Sequence, residues 1–200
     1  MAQSARGNLP MIRKFLVAPA LSALAMFIFG ALFWTSPLPY RTLTPVGDNA
    51  AAAAALAKIF PESGTYLIPG PEIKDEKLLR ELAERGPSAE VNFVREGHPM
   101  VEPAVFAQGF AHYFVVSLLL VCLLNRCAAV CPTYRSRVSL SATVGLIGGI
   151  FVSLANPIWW HHAWGYPLVT AVYVVIEFAI AGLVLGKLLA PKAEAPDVHI

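Results

Sequence analysis

Charge is scarce in this 200-residue chain. Lys and Arg together number 15, Asp and Glu 13, and the four types make up 14% of the sequence, where about a quarter is usual in a soluble domain. A water-facing surface cannot be covered with so few. A net charge of +2 is no footprint for a polyanion, which excludes a nucleic-acid binder. Three Cys staple little and exclude a disulfide scaffold. A hydrophobic share of 56% excludes an intrinsically disordered chain. Catalytic signatures are missing as well: there is no Gly-rich phosphate loop with Lys, no His-Glu-x-x-His, no Gly-x-Ser-x-Gly and no pair of acids arranged for hydrolysis. Nothing here demands an enzyme, and no catalytic residue, metal or cofactor is expected.

Long hydrophobic runs are what the sequence has in their place. Residues 15–35, 106–125, 138–158 and 166–187 are apolar stretches, each long enough at 1.5 Å per residue to cross about 30 Å of hydrocarbon. Runs of this kind are not the alternating ten-residue signature of a barrel, so the expected fold is an all-α bundle of four transmembrane helices. Ala23-Leu24-Ala25 has the look of a signal-peptidase site behind Arg13 and Lys14. It falls inside a run that continues through Met26, Phe27, Ile28 and Phe29, so the first span reads as an uncleaved anchor.

Orientation follows from the basic residues that flank the spans. The tail 1–14 carries Arg6, Arg13 and Lys14, the loop 126–137 carries Arg126, Arg135 and Arg137, and the tail 188–200 with its border carries Lys187 and Lys192. These segments hold only Glu194 and Asp197 as acids and are expected in the cytoplasm. The opposite side receives residues 36–105 and the turn 159–165. All four Trp (Trp34, Trp159, Trp160 and Trp164) fall at that side, where an indole suits the headgroup level.

The segment 36–105 is too long for a structureless loop. Asp48 and Asn49 cap an Ala-rich helix to about Phe60, and Pro61 and Gly64 end it. Thr65 to Ile68 reads as a strand closed by Pro69-Gly70-Pro71. Lys74 to Arg85 reads as a second helix with Leu78, Leu79 and Leu82 on one face, stopped by Gly86-Pro87. Ala89 to Val94 alternates as a second strand. A small extracytoplasmic α/β cap is expected, marginal on its own and without a Cys to staple it. Cys122, Cys127 and Cys131 sit towards the cytoplasmic end. Cys127-xxx-Cys131 lacks a complete ligand set for a metal, which favours reduced small core residues.

Polar groups inside the spans are the candidate sites. Glu177 lies about eleven residues, roughly 16 Å, into the fourth span, where an ionised carboxylate costs several kcal/mol unless paired. It reads either as a proton- or ligand-binding carboxylate or as a packing hydrogen bonder. Gln108 and His112 share a face of the second span and suggest a polar path towards Glu177, or a pair bonding between helices. Asn156, His161 and His162 form a polar cluster at the outer mouth, read as an interfacial loop or as ligands to a metal or haem. Ser141, Gly145, Gly149 and Ser153 recur every four residues, and Gly182 and Gly186 continue the pattern on the fourth span. Such a stripe lets another backbone approach closely, from the neighbouring helix or from another subunit.

Gly64-Thr65-Tyr66-Leu67-Ile68-Pro69-Gly70, Gly97-His98-Pro99-Met100, Trp160, Trp164-Gly165-Tyr166-Pro167 and Ala181-Gly182-Leu183 together resemble a group of uncharacterised bacterial four-helix membrane proteins. The resemblance implies the four-span topology and a bacterial inner membrane, and it carries no activity. The plan is also similar to claudin-like proteins, from which the chain departs in lacking a Cys pair in the first outer loop. The expected function is that of a non-enzymatic accessory or scaffolding subunit, packing in the bilayer against other membrane subunits or its own copies. The alternatives are a small proton-coupled transporter or channel using Glu177, and a redox subunit with haem on His112 and one of His161 or His162.

Overall fold

The computed structural model describes residues 11–189; Arg6, Lys192, Glu194, Asp197 and most of the two expected tails lie outside them. The chain is mostly helical and folds into two compact units, residues 45–102 forming one and the flanking segments the other.

The helical unit holds four helices long and apolar enough to span a membrane: Arg13–Thr35, Pro103–Arg126, Tyr134–Trp159 and Gly165–Leu188. The first opens with a π-helical turn, Arg13–Val17, and continues as α1, Ala18–Thr35. The second is α4, Pro103–Arg126. The third is composite: α5, Tyr134–Gly148, passes through a π-helical turn, Gly149–Ser153, into the short α6, Ala155–Trp159. The fourth is α7, Gly165–Leu188. α5 begins ahead of the hydrophobic run expected from residue 138, because Thr133 caps it. The Thr133 Oγ1 accepts from the Ser136 amide at 3.1 Å, and the Ser136 Oγ accepts from the Thr133 amide at 3.1 Å, a reciprocal capping box.

The helices run up and down in turn, with the main contacts passing from α4 to α1, from α1 to α7 and from α7 to α5; α4 and α5 barely meet. Met26, Leu120, Val121, Leu124, Ala181 and Leu185 form the buried core shared by α1, α4 and α7. Phe106, Phe110, Tyr113 and Ser117 recur at helical spacing and turn one face of α4 to α1. Phe27 meets the first three rings edge-on at 6.2–6.4 Å, and the Ser117 hydroxyl donates to Ser22 at 3.0 Å.

α5 and α7 approach through the expected stripe. A Cβ on Gly145 would stand 2.6 Å from the Phe178 Cβ, one on Gly149 2.8 Å from the Ala171 carbonyl oxygen, and one on Gly182 2.7 Å from the Ser141 Cβ. Gly186 faces Tyr134. Ser141 and Ser153 are both buried. The stripe is therefore filled from within the chain, and it leaves no smooth face there for another subunit.

In the smaller unit, α2 runs Asn49–Ile59, with the Asp48 carboxylate accepting from the Ala51 amide. Strand β1, Gly64–Ile68, pairs antiparallel with β2, Ala89–Phe93, matching Gly64 to Phe93 and Ile68 to Ala89. Between them α3, Glu76–Arg85, starts two residues later than Lys74 because Asp75 accepts from the Lys77 and Leu78 amides. It ends at Gly86, whose φ of 66° is a conformation L side chains avoid. Leu79 and Leu82 are half-buried, while Leu78 is exposed. The unit is tied together by Arg95, whose guanidinium donates to the Ala57 and Phe60 carbonyls at 3.1 and 2.7 Å and so caps the end of α2.

Candidate functional site

Glu177 is the thirteenth residue of the 24-residue α7, half-way along the helix and 3% exposed. Tyr173, one turn earlier on the same helix, shares its face, and Tyr113 enters from α4. The two phenol oxygens are 2.6 Å apart, and the Tyr113 hydroxyl donates to the Glu177 Oε1 at 3.4 Å. All three oxygens crowd Gly30 of α1: a Cβ there would lie 2.8 Å from the Tyr113 oxygen, 2.9 Å from that of Tyr173 and 3.3 Å from Oε1. Phe29, Phe33 and Trp34 enclose the Tyr173 ring at 4.6–5.8 Å. The Glu177 Oε2 has no hydrogen-bond partner among the described residues. The arrangement can hold a proton or accept from the tyrosines, and no basic side chain is among the contacts described for the carboxyl.

Gln108 and His112 are not brought to this cluster. Both are exposed on the flank of α4, and the His112 ring lies 5.6 Å from that of Tyr113. A helix turns by about 100° per residue, so the face that presents Tyr113 to α7 carries 108 and 112 away from it. The polar path expected through these two residues is not assembled.

At the end of the bundle that carries the four Trp, Asn156 and His162 line a cavity of about 450 Å³. The Trp160 and His162 amides reach the Asn156 carbonyl at 2.9 and 3.5 Å. His161, with a left-handed φ of 57°, turns the chain there but does not line the cavity. No residue of α4 does either, so His112 and the other histidines occupy separate places. Ser153, expected only as a packing residue, is both packed and part of the cavity wall.

The cysteines are not core residues. Cys122 is exposed, and Cys127 and Cys131 are half-exposed in the turn after α4, because the buried face of α4 passes through Leu120, Val121 and Leu124 instead. Arg137, expected as a flanking charge, is 5% exposed, and its Nε donates to the Cys131 carbonyl at 3.1 Å. Among the described residues no three His, Cys, Asp or Glu are grouped to hold a metal ion.

No protein-family model matches the chain, and no curated protein or solved structure matches it significantly. The residues around Glu177 that sequence reasoning missed are Tyr113, Tyr173 and Gly30. Tyr173 carried a signal, standing four residues before Glu177; Gly30 carried none.

Proposed function

We propose that the chain is a non-enzymatic multi-pass membrane protein that serves as an accessory or scaffolding subunit, offering residues 45–102 to a partner protein. The observation that carries this reading is the thinness of that unit's core. Within residues 45–102 only Phe60, at 4% exposure, and Gly70 are buried, and the Phe60 ring is held by Tyr66 and Phe93 at 4.3 and 5.5 Å. A two-stranded sheet has both edges open; Leu67 on β1 and Val94 directly after β2 are exposed, as are Met100 and Val101 further along the chain. Such a surface gains most by being covered.

The reading places the helices in a bacterial inner membrane with both termini in the cytoplasm. Arg13, Lys14, Arg126, Arg135 and Lys187 at one end of the bundle and the four Trp at the other support that orientation. A photo-crosslinking residue replacing Leu67 or Val94 in cells is expected to give one adduct of defined mass with another membrane protein. The same residue replacing Lys77 is expected to give none. A monomer in mild detergent with no adduct from either strand position would defeat the reading.

A second reading, proton coupling through Glu177, is favoured by its unpartnered and buried Oε2. Proton-dependent flux in proteoliposomes, lost in Glu177→Gln, would support it. Flux indifferent to that change would remove it.

A further inference from the structure

The cavity at the Trp end has no part in either reading, yet its walls are chemically specific. About 450 Å³ is within the range of small-molecule sites. One wall is Thr42-Leu43-Thr44, the strap that follows α1; the others are the end of the π-helical turn, Asn156, His162 and the first turns of α7. No Asp, Glu, Lys or Arg lines it.

Its polar groups are of two kinds. The Thr42 and Thr170 hydroxyls donate to the Pro39 and Tyr166 carbonyls at 2.7 and 2.8 Å, which leaves their oxygens as acceptors. Ser153 is 6% exposed, and the described hydrogen bonds use neither its hydroxyl nor the Asn156 side-chain amide. The cavity wall therefore offers hydroxyl and amide groups with hydrogen-bonding capacity to spare. Two backbone irregularities border it. The π-helical turn Gly149–Ser153 seats Ser153, and left-handed His161 returns the chain so that the His162 amide meets the Asn156 carbonyl. π-turns and left-handed non-glycine residues both concentrate at functional sites.

We infer that this cavity binds an uncharged polyhydroxyl group of the sugar or glycerol class. Its hydroxyls meet Ser153 and Asn156, and its apolar face lies against Tyr166, Val152 and Pro167. An ion would enter without any counter-charge, and a purely apolar ligand would leave Ser153 and Asn156 unpaired. The group arrives either as the headgroup of a lipid or free in solution, since the hydrogen-bonding chemistry is the same.

The test uses the full chain in phosphatidylcholine nanodiscs, with tryptophan fluorescence as the readout because the Trp34 ring lies 6.3 Å from that of Tyr166. Monoglucosyl diacylglycerol in the disc and free glucose in solution are titrated separately. A saturable change is expected with at least one probe. Ser153→Ala is expected to weaken it about fivefold and Asn156→Leu about tenfold, corresponding to the loss of one or more hydrogen bonds. Phe151→Ala, at an exposed position outside the cavity, is expected to leave it unchanged. A response to the lipid alone identifies a headgroup site; a response to glucose identifies a solute site. The inference is overturned if neither probe saturates, if phosphatidylserine competes equally, or if the folded cavity variants bind as the parent does. Should Asn156→Leu lose its helical circular dichroism, Ser153→Ala and Thr44→Ala decide the matter.

Discussion

At Gly30 of α1 a single added methyl group meets side chains from both α4 and α7. Adding one methyl group there forces it against the Tyr113 and Tyr173 hydroxyls, and overpacking of a buried contact costs about 1–3 kcal/mol. Gly30→Ala is therefore expected to lower the melting temperature in detergent and to weaken α1 against α7, whereas Gly47→Ala, at a position with open space, is expected to change nothing. Tyr113→Phe removes the donor to Oε1 and is expected to destabilise by about 1 kcal/mol. Glu177 was legible in the sequence because a lone acid in an apolar run stands out. Its partners were not, because Tyr and Gly are ordinary in membrane helices and only the pairing of three helices selects these ones.

In the smaller unit, Glu96 carries a pH response. The Ser63 hydroxyl donates to its carboxylate at 2.9 Å and accepts from the Arg95 amide at 3.0 Å. The Ser63 hydrogen bond, with a hydrogen bond to the residue's own backbone, holds the Glu96 carboxyl below the usual carboxylate range. A group lowered in the folded state contributes stability above its unfolded value and loses it as pH falls through the folded one. Hydrogen-exchange protection of the Arg95 amide is accordingly expected to drop on acidification below the ordinary carboxylate range, and the drop should be absent in Glu96→Gln.

At the scale of elements, the contact between α5 and α7 rests on bare backbone. Gly149→Ala directs a methyl group at the Ala171 carbonyl, which cannot move aside as a side chain can. It is expected to separate the two helices, seen as a lower melting temperature and faster proteolysis after Trp159, while Gly148→Ala, whose nearest neighbour is a Val174 methyl at 3.8 Å, is tolerated. The stripe of Ser141, Gly145, Gly149 and Ser153 was legible because small residues at a fixed spacing on one span are unusual. The π-helical turn was not. A strict four-residue repeat drifts around a 3.6-residue helix, and one wider turn offsets that drift, but no residue type announces it. The start of α5 at Tyr134 was missed for a simpler reason: hydropathy begins after Arg137, while the helix begins at its cap.

On the scale of the whole molecule, the four hydrophobic runs foretold four long helices because apolar length is the property that both sequence and structure express. The order of contacts from α4 through α1 and α7 to α5 was not foretold, since it depends on which small or aromatic residues meet across helices. The helix–strand–helix–strand succession between α1 and α4 could be read from Asp48, Pro61, the Pro69-Gly70-Pro71 turn and Gly86-Pro87. The thinness of the resulting core could not, because alternation in Ala89 to Val94 says nothing about how much lies above the sheet.

The proposal that residues 45–102 face a partner outside the cytoplasm stands on the threading of the chain. Its most direct test is single-cysteine labelling in intact cells, with Cys122, Cys127 and Cys131 replaced by Ser and a membrane-impermeant maleimide as the reagent. Ser88→Cys, exposed in the smaller unit, is predicted to be labelled without permeabilisation, and Ala129→Cys, exposed in the turn between α4 and α5, only after it. Labelling of Ala129→Cys in intact cells, with Ser88→Cys protected until the membrane is opened, would contradict the account.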